Sequence, residues 1–329
     1  MALNQEPKYG FYDRLTAGFP SQVIVDATEI CNLACIHCPH PEFKKSEHYS
    51  AASLPLELNT KLVDEVKEHG QGQTEYIRYT SNGEPLVHSK IFEMLKYAVD
   101  NSGVFVALTT NGKILSQDRA EKLLSTGLHL VDISIDAFTP ETYAQIRVGG
   151  KLEVTRRNVE NLIRRKSELG TSTKIIVSFV EQPQNSHEVA SFESYWKDQG
   201  ADYVVIRRLH SAAGGVSRIA EHLRGEGEAE EKRRPCLYPW ERILLNSRGE
   251  LAFCPQDWVH GSAICDYRTN TIKEVWQGAF YKKLRKAHLC NQYGNHAFCG
   301  QCPDWKQTRW PGVGRSYADM VEEFKAPEL

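Results

Sequence analysis

Three cysteines close to the N-terminus have a spacing suited to an iron–sulfur cluster. Cys31, Cys35 and Cys38 form a C-x3-C-x2-C pattern on one short segment. Three thiolates can hold three corners of a cubane [4Fe–4S] cluster, which leaves the fourth iron open to a substrate or cofactor. Zinc is the alternative, because His37 or His40 could complete a four-ligand site. The spacing favours the cluster over zinc.

A second cysteine-rich region lies near the C-terminus. It contains Cys236, Cys254, Cys265, Cys290, Cys299 and Cys302. The chain has nine cysteines in all, and residues 39–235 contain none. Clustered cysteines in a large chain without a secretion signal are more often metal ligands than disulfides. Two pairs of these cysteines could hold zinc or a second cluster, and spacing alone does not separate the two.

Length and composition predict a globular protein with one large domain and an appendage, or with two domains. The chain has 329 residues, of which 41% are hydrophobic and 25% charged, and its net charge is −2. This charge gives no electrostatic basis for nucleic-acid binding. No apolar run approaches the roughly 20 residues that span a bilayer, and the N-terminus does not resemble a signal peptide. We therefore expect a cytoplasmic protein with no membrane or nucleic-acid partner.

The elements that position the first cysteines alternate between strands and helices. Apolar runs predict strands at Gln22–Asp26, Tyr76–Tyr79, Val104–Leu108, Leu130–Ile135, Lys174–Phe179 and Tyr203–Arg207. Amphipathic patterns predict helices at Leu56–His69, Ile91–Val99, Asp118–Ser125, Leu152–Glu168 and Glu188–Gln199. Such α/β units in a row imply a parallel sheet with right-handed crossovers. The pattern leaves open whether the sheet is doubly wound or a partial barrel, but in both a site forms at the carboxyl ends of the strands.

The segment TEICNLACIHC, at Thr28–Cys38, resembles the signature of the radical S-adenosylmethionine (SAM) superfamily. Further resemblances follow in order at successive strand ends: the GEP motif at Gly83, Glu84 and Pro85, the TNG segment with Thr110 and Asn111, the S-x-D-A element with Ser134 and Asp136, and then Arg147. Asn82 is a small departure, since glycine is commoner before the GEP motif.

The resemblance implies a partial (β/α)6 TIM-like barrel with SAM bound at the open iron of the first cluster. The GEP motif takes the amino group of SAM, and Arg147 pairs with its carboxylate, a geometry that suits a guanidinium fork. The reduced cluster then splits SAM to a 5′-deoxyadenosyl radical, which removes a hydrogen atom from a substrate C–H bond. An electron donor such as flavodoxin or ferredoxin is the expected partner.

The C-terminal cysteines resemble the SPASM/twitch extension of radical SAM enzymes, through the segment from Cys236 to Cys254, the run TIKEVWQG and the final CGQC. Since Cys302 is the last cysteine, the resemblance implies one auxiliary [4Fe–4S] cluster, held by Cys236, Cys254, Cys299 and Cys302. Cys290 could replace one of these ligands. Five regions are then predicted: an N-terminal extension (1–20), a radical SAM core (21–210), a linker or flap (211–234), an auxiliary-cluster domain (235–310) with a helix near Thr271–Ala287, and a C-terminal tail (311–329).

Two further residues of the auxiliary region are candidate catalytic groups. Cys265 stands where relatives usually have glycine, and a thiol can return a hydrogen atom to a carbon radical, as in radical SAM epimerases. A buried structural cysteine is the commoner case. Asp257 could act as a base or orienting acceptor. Polar residues after the fifth and sixth strands could also touch substrate, although salt bridges and caps would explain most of them: Glu181, Asn185, Arg207, Arg208 and His210.

These features predict an enzyme that epimerises a sugar-like small molecule with Cys265 as hydrogen-atom donor. A dehydrogenase that passes an electron from the substrate to the auxiliary cluster is the first alternative. A peptide- or protein-modifying maturase is the second, and the short segment before the first strand favours the small molecule over it. A non-enzymatic zinc-binding module ranks last, because it would leave the ordered motifs unexplained.

Overall fold

The computed structural model describes residues 18–225, 233, 235–294 and 296–307. Four predicted regions lie partly or wholly outside these residues: the N-terminal extension up to residue 17, most of the charged part of the linker, residues 295 and 308–310 of the auxiliary-cluster domain, and the C-terminal tail. None of the helices in the described ranges is both long enough and apolar enough to cross a membrane.

A single sheet runs through the described part of the chain. Its strands are β1 Gln22–Val25, β2 Tyr76–Tyr79, β3 Phe105–Thr110, β4 Leu130–Ser134, β5 Lys174–Glu181, β6 Tyr203–Arg208, β7 Arg242–Leu245, β8 Glu250–Ala252 and β9 Ala263–Asp266. Their order is β6-β5-β4-β3-β2-β1-β7-β8-β9. All pairs from β6 to β7 are parallel, and β8 and β9 are antiparallel additions. The six predicted strands are confirmed, and with the helices between them they form the partial (β/α)6 barrel.

The helices are α1 His40–Phe43, α2 Leu56–His69, α3 Ile91–Asn101, α4 Gln117–Ser125, α5 Pro140–Ile146, α6 Leu152–Leu169, α7 Val189–Asp198, α8 Ser217–Gly225, α9 Tyr238–Glu241, α10 Ile272–Gln277, α11 Ala279–Cys290 and α12 Ala297–Gln301. Short 3₁₀ turns cover Pro85–Val87, Ser186–Glu188 and Asp304–Gln307. The helices predicted between the first six strands are all present.

Two predictions about the C-terminal half need correction. The single helix expected near Thr271–Ala287 is two helices, because Gly278 is extended (φ −73°, ψ 175°) and ends α10 before α11 begins. The segment expected to be a linker or flap contains α8. Charge dominates the composition of that segment, but Ile219 and Ala220 are 3% and 1% exposed, and their burial anchors the helix.

Side chains on the two faces of the barrel sheet have different surroundings. Val23, Ile77 and Val131 lie on the outer face and belong to the core shared with the helices. Alternate residues such as Ile24 and Leu130 form a separate apolar cluster inside the barrel. Successive residues of a strand point to opposite faces, so the register assigns each side chain either to the helix layer or to the barrel lumen.

Asp26 joins three strands at the carboxyl end of β1. Its Oδ1 accepts a hydrogen bond from the backbone N–H of Asn82 (3.1 Å), and its Oδ2 accepts one from the Ser247 hydroxyl (3.0 Å). These partners follow β2 and β7. Burial raises the pKa of Asp26 from 3.8 to about 7, despite these hydrogen bonds. The Asp26 carboxyl therefore links the carboxyl ends of β1, β2 and β7, and its burial makes the charged form of the group unfavourable.

This shift makes the free energy of unfolding depend on pH. Because the folded pKa is raised, the contribution of Asp26 is complete below about pH 4 and is lost as pH rises through about 7, by at most about 1.4 kcal/mol per pH unit. In Asp26→Asn this part of the decline should disappear when urea unfolding is measured from pH 5 to 8. The exposed-carboxylate control Asp118→Asn should keep the wild-type slope. Equal slopes for all three proteins would contradict the assignment.

Candidate active site

The first three cysteines lie on the loop that follows β1. This loop hydrogen-bonds to the loop after α5, through the N–H of Ala34 to the carbonyl of Val148 (2.9 Å) and that of Ile36 to Ile146 (3.0 Å). The Arg147 guanidinium donates to the sulfur of Cys35 (3.5 Å). Burial raises the pKa of all three thiols above the ordinary value. The pKa of Cys31 rises to about 11, and those of Cys35 and Cys38 are also raised. Because a metal-binding cysteine must be deprotonated, cluster binding at these thiols would release protons.

The surroundings of the triad fit a cluster better than zinc. Both histidines that could complete a zinc site have other partners: His40 Nε2 lies 2.8 Å from the Glu29 carbonyl, and His37 Nε2 lies 3.5 Å from Asp136. Among the residues described, no three His, Cys, Asp or Glu side chains are placed as one metal ion would require.

The GEP turn approaches the backbone that leads into the triad. A Cβ atom on Gly83 would lie 2.0 Å from the Thr28 carbonyl oxygen, so only glycine fits. The Glu84 carboxylate points inward and accepts hydrogen bonds from the Thr110 hydroxyl (2.6 Å) and the Asn111 N–H (2.7 Å). This ties the GEP turn to the TNG segment. The predicted role of the GEP turn, including Glu84, in binding the amino group of SAM stays a prediction.

Asp136 and Arg147 form a buried ion pair beside the triad. Arg147 Nη2 lies 2.5 Å from Asp136 Oδ2, and the two side chains are 8% and 0% exposed. Asp136 has a left-handed backbone (φ 63°), which is costly for a residue other than glycine. The predicted roles of Ser134, Asp136 and Arg147 in SAM binding stay predictions, but the structure places all three at the carboxyl end of β4 and the loop facing it.

An open cavity of about 370 Å³ borders the triad. It is lined by Cys31, Asn32, His40, Lys44, Val148 and Gly149, among others. Lys113 links two segments that line this cavity, because its ammonium group donates hydrogen bonds to the carbonyls of Asn32 (3.1 Å) and Gly149 (2.7 Å). The sequence analysis missed Lys113, although its position directly after the TNG segment is a signal that could have found it.

Four of the C-terminal cysteines are neighbours. Burial raises the pKa of Cys254, and the adjacent thiols of Cys236, Cys299 and Cys302 raise it further. Burial also raises the pKa of Cys299 and of Cys302 to about 12. These four are the residues predicted to hold the auxiliary cluster. Cys290, the alternative ligand, is exposed at the last residue of α11.

Arg233 is the cation beside these four thiols. It donates to the carbonyl of Gly300 (2.8 Å), and its guanidinium lies 4.2 Å from the centre of the Tyr293 ring. Its charge opposes the rise in the pKa of Cys299 and Cys302. A fixed positive charge at this point would stabilise the thiolates that hold a cluster. The sequence analysis had placed Arg233 in the linker.

Of the two candidate catalytic residues of the auxiliary region, Cys265 lies on a strand away from the triad, and Asp257 already accepts hydrogen bonds on both carboxylate oxygens. Cys265 lies on β9, opposite Leu251 of β8, and Leu251 belongs to the helix-packed core. The Cys265 side chain therefore faces the helices rather than the lumen, and β9 is separated from β1 by two strands. Both carboxylate oxygens of Asp257 accept backbone hydrogen bonds in its own loop, from Val259 (2.9 Å) and Ser262 (2.6 Å).

The loop after Cys254 contacts the GEP turn. The Pro255 carbonyl lies 3.3 Å from the Ser81 hydroxyl, and the Asp257 carbonyl lies 3.4 Å from the Asn82 side-chain amide. The auxiliary cysteines and the predicted SAM-binding edge are thus joined through two adjacent residues. The polar residues at the carboxyl ends of β5 and β6 have different surroundings. Asn185, in the loop after β5, donates to the Asp136 carbonyl (2.8 Å). Glu181 and Arg208, the last residues of the two strands, are exposed, and Arg207 lies inside the barrel.

Comparisons with known proteins agree with this architecture. Residues 25–190 match the model of the radical SAM superfamily, and residues 236–303 match that of an iron–sulfur cluster-binding domain, SPASM. A probable GTP 3′,8-cyclase from Methanococcus maripaludis strain C7 is 32% identical over 179 residues, which are 54% of this chain and 56% of that protein. The chain thus spans about half the length of the curated relatives it matches.

Two solved structures share the fold. Streptococcus suis SuiB bound to the precursor peptide SuiA superposes with a TM-score of 0.64 at 13% identity, over 95% of this chain and 75% of that one. BtrN in complex with AdoMet and 2-DOIA superposes with a TM-score of 0.58 at 16% identity, over 86% of this chain and 92% of that one. At these identities the likeness concerns the fold alone.

The two cysteine sets should account for iron separately. Anaerobically reconstituted protein should hold about eight irons per chain, since each cubane carries four. Replacing Cys31, Cys35 and Cys38 with alanine should leave about four, and so should replacing the four C-terminal ligands. Cys290→Ala is the control and should keep the full content. Stoichiometric zinc in place of iron, measured by elemental analysis, would contradict the assignment.

The Gly83 position offers a test of the SAM-binding edge. Gly83→Ala should weaken SAM binding at least about tenfold, because the new Cβ would displace the backbone against which the turn rests. The change in the electron paramagnetic resonance spectrum of the reduced cluster on SAM addition reports this binding. Gly294→Ala is the matched control, since its Cβ would meet no atom within 4 Å. Unchanged SAM affinity in Gly83→Ala would refute the role of the turn.

Proposed function

The chain belongs to the radical SAM superfamily and carries an iron–sulfur cluster-binding domain, and from this premise we propose that it oxidises a polar organic substrate by removing a hydrogen atom and then an electron and a proton. When bound, SAM and the reduced first cluster supply the 5′-deoxyadenosyl radical, and the auxiliary cluster supplies a one-electron acceptor. The overall change is a dehydrogenation, as in conversion of a secondary alcohol to a ketone.

The contact between the Cys254 loop and the GEP turn carries this proposal. Cys254 is followed at once by Pro255, whose carbonyl lies 3.3 Å from the Ser81 hydroxyl, two residues before Gly83. A substrate held beside the GEP turn would therefore lie on a short path of bonded and hydrogen-bonded atoms to the auxiliary thiols. Such a path suits removal of an electron from the substrate.

An aromatic layer covers the loop after the triad. Phe43 lies 5.6 Å from Trp258 and 5.5 Å from Tyr49, and His40 lies 6.1 Å from Trp258, measured between ring centres. Trp258 comes from the auxiliary region, so the layer joins both parts of the chain. Apolar rings at this place would keep water from a reactive radical, which is a task that the protein must perform.

Epimerisation with Cys265 as the hydrogen-atom donor is less well supported by the geometry. The Cys265 thiol would have to reach the lumen from the helix-packed face of β9. The other cysteine outside the two ligand sets, Cys290, is exposed. Without a thiol at the lumen, oxidation accounts better for the fate of a substrate radical.

Two classes of substrate fit the proposed oxidation. A sugar or cyclitol fits an alcohol oxidation, and a polar lumen suits it. A peptide is the second candidate, because SuiB, which shares this fold, was solved with a precursor peptide. The reductant of the first cluster would be a small electron carrier such as flavodoxin or ferredoxin.

Incubation with SAM, reductant and candidate substrates in deuterated water should give 5′-deoxyadenosine and a product lighter by two hydrogens, measured by mass spectrometry. Replacing the four auxiliary ligands with serine should allow hydrogen abstraction but abolish the oxidised product, because its electron acceptor is lost. Cys265→Ala should retain full turnover. An isomeric product containing deuterium, lost in Cys265→Ala, would overturn oxidation in favour of epimerisation.

A further inference from the structure

Two arginines share one carboxylate inside the barrel. Arg78 Nη2 lies 2.9 Å and Arg207 Nη2 lies 2.6 Å from the same oxygen of Asp132. The Asp132 side chain is 1% exposed, whereas Arg78 and Arg207 are 16% and 29% exposed. Burying the Asp132 carboxylate costs desolvation free energy, which its contacts with the two arginines offset.

The register places this group in the lumen. Arg78 lies opposite Ala107, and Asp132 lies opposite Ile176, and both partners belong to the apolar cluster inside the barrel. Arg207 lies opposite Val180, near the carboxyl end of β6. The guanidinium of Arg207 therefore reaches the lumen near the mouth, with Asp132 below it.

A chain of hydroxyls connects Asp132 with the predicted SAM-binding edge. The Ser178 hydroxyl donates to Asp132 Oδ1 (2.7 Å) and lies 3.3 Å from the Ser134 hydroxyl. Asp132 is thus held on both oxygens, by two arginines on one and a serine on the other. Its effect is to fix the orientation of Arg207 next to the residues where SAM is expected.

A second observation points to a ligand at the same mouth. Gln182 follows β5, two residues after Val180, and is 3% exposed. Its Nε2 lies 3.3 Å from His37 Nδ1, while its Oε1 is buried and has no hydrogen-bond partner among the residues that the structure describes. A buried acceptor without a donor is costly, and a hydroxyl or N–H group of a substrate would satisfy it.

We propose that Arg207 and Gln182 form a subsite for a substrate that carries an oxyanion, a phosphate or a carboxylate, together with a hydrogen-bond donor. Asp132 is shared by two arginines, and Arg207 is the more exposed of the two at 29%. The planar guanidinium presents further donors beyond the one used by Asp132, in a geometry that matches oxyanions. The inference rests on the proposed function, because it names the charge of the molecule to be oxidised.

Three probes with similar rings test the charge: glucose 6-phosphate, glucuronate and glucose. Titration calorimetry under anaerobic conditions, on the cluster-loaded protein with SAM bound, should give at least about tenfold tighter binding for one anionic probe than for glucose. The tighter of the two anions identifies the oxyanion as phosphate or carboxylate. If the wild-type protein binds all three probes with equal affinity, or binds none of them, the inference is wrong, and no variant is needed to reject it.

Two variants locate the subsite. Arg207→Gln should abolish the preference for the anion, and since Asp132 keeps Arg78 as its partner the barrel should still fold. Arg208→Gln is the matched control, because Arg208 is exposed at the next position of the same strand, and it should keep the preference. An equal loss in both variants would overturn the assignment to Arg207. Anion binding without loss of two hydrogens from any substrate would instead leave the subsite standing and refute the proposed oxidation.

Discussion

The buried ion pair between Arg147 and Asp136 is the interaction on which the candidate active site depends. Its two side chains are almost completely buried and lie within hydrogen-bonding distance. Removing one partner of such a pair typically costs about 3–5 kcal/mol, because the other charge is left buried alone. The loop that carries Arg147 also hydrogen-bonds to the cysteine loop, and Arg147 itself contacts Cys35. The loop that carries the first three cysteines is therefore supported by Arg147, whose own position is fixed by its ion pair with Asp136.

The lumen changes character along its length. Toward the amino ends of the strands it is filled by an apolar cluster that includes Tyr76, Phe105 and Leu130. Toward the carboxyl ends the same face carries Asp132, Ser178 and Arg207. The apolar layer closes one end by packing, while the polar layer is held by hydrogen bonds that a bound molecule can share. The polar layer thus lies at the end of the barrel where the first three cysteines and the GEP turn are found.

Much of the barrel could be predicted from the sequence, since its strands are short apolar runs bounded by turns and its first cysteines sit on one loop. The resemblance to a known extension grouped Cys236, Cys254, Cys299 and Cys302, and these four are neighbours in the structure, while their role as cluster ligands stays a prediction. Pattern could not give the face to which Cys265 points, because a shift of one residue in the pairing of β8 with β9 would reverse it. Nor could it give the partners of Glu84, which lie in the TNG segment, or those of Asp257, which are backbone donors of its own loop. The sharing of Asp132 by Arg78 and Arg207 joins three separate strands, and its only sequence signal is a charge within each otherwise apolar run.

The parallel pairing of β7 with β1 has a consequence for the history of the chain. Without β7, the backbone N–H and C=O groups along one side of β1 would be left as an open edge, ready to pair with another molecule. The auxiliary region thus closes the barrel on its β1 side as well as supplying thiols. A truncation that discards the C-terminal cysteines would therefore remove the cover of the strand that leads into the first three. Loss of this region in a descendant would call for a new cap on β1 before any change in chemistry could be tolerated.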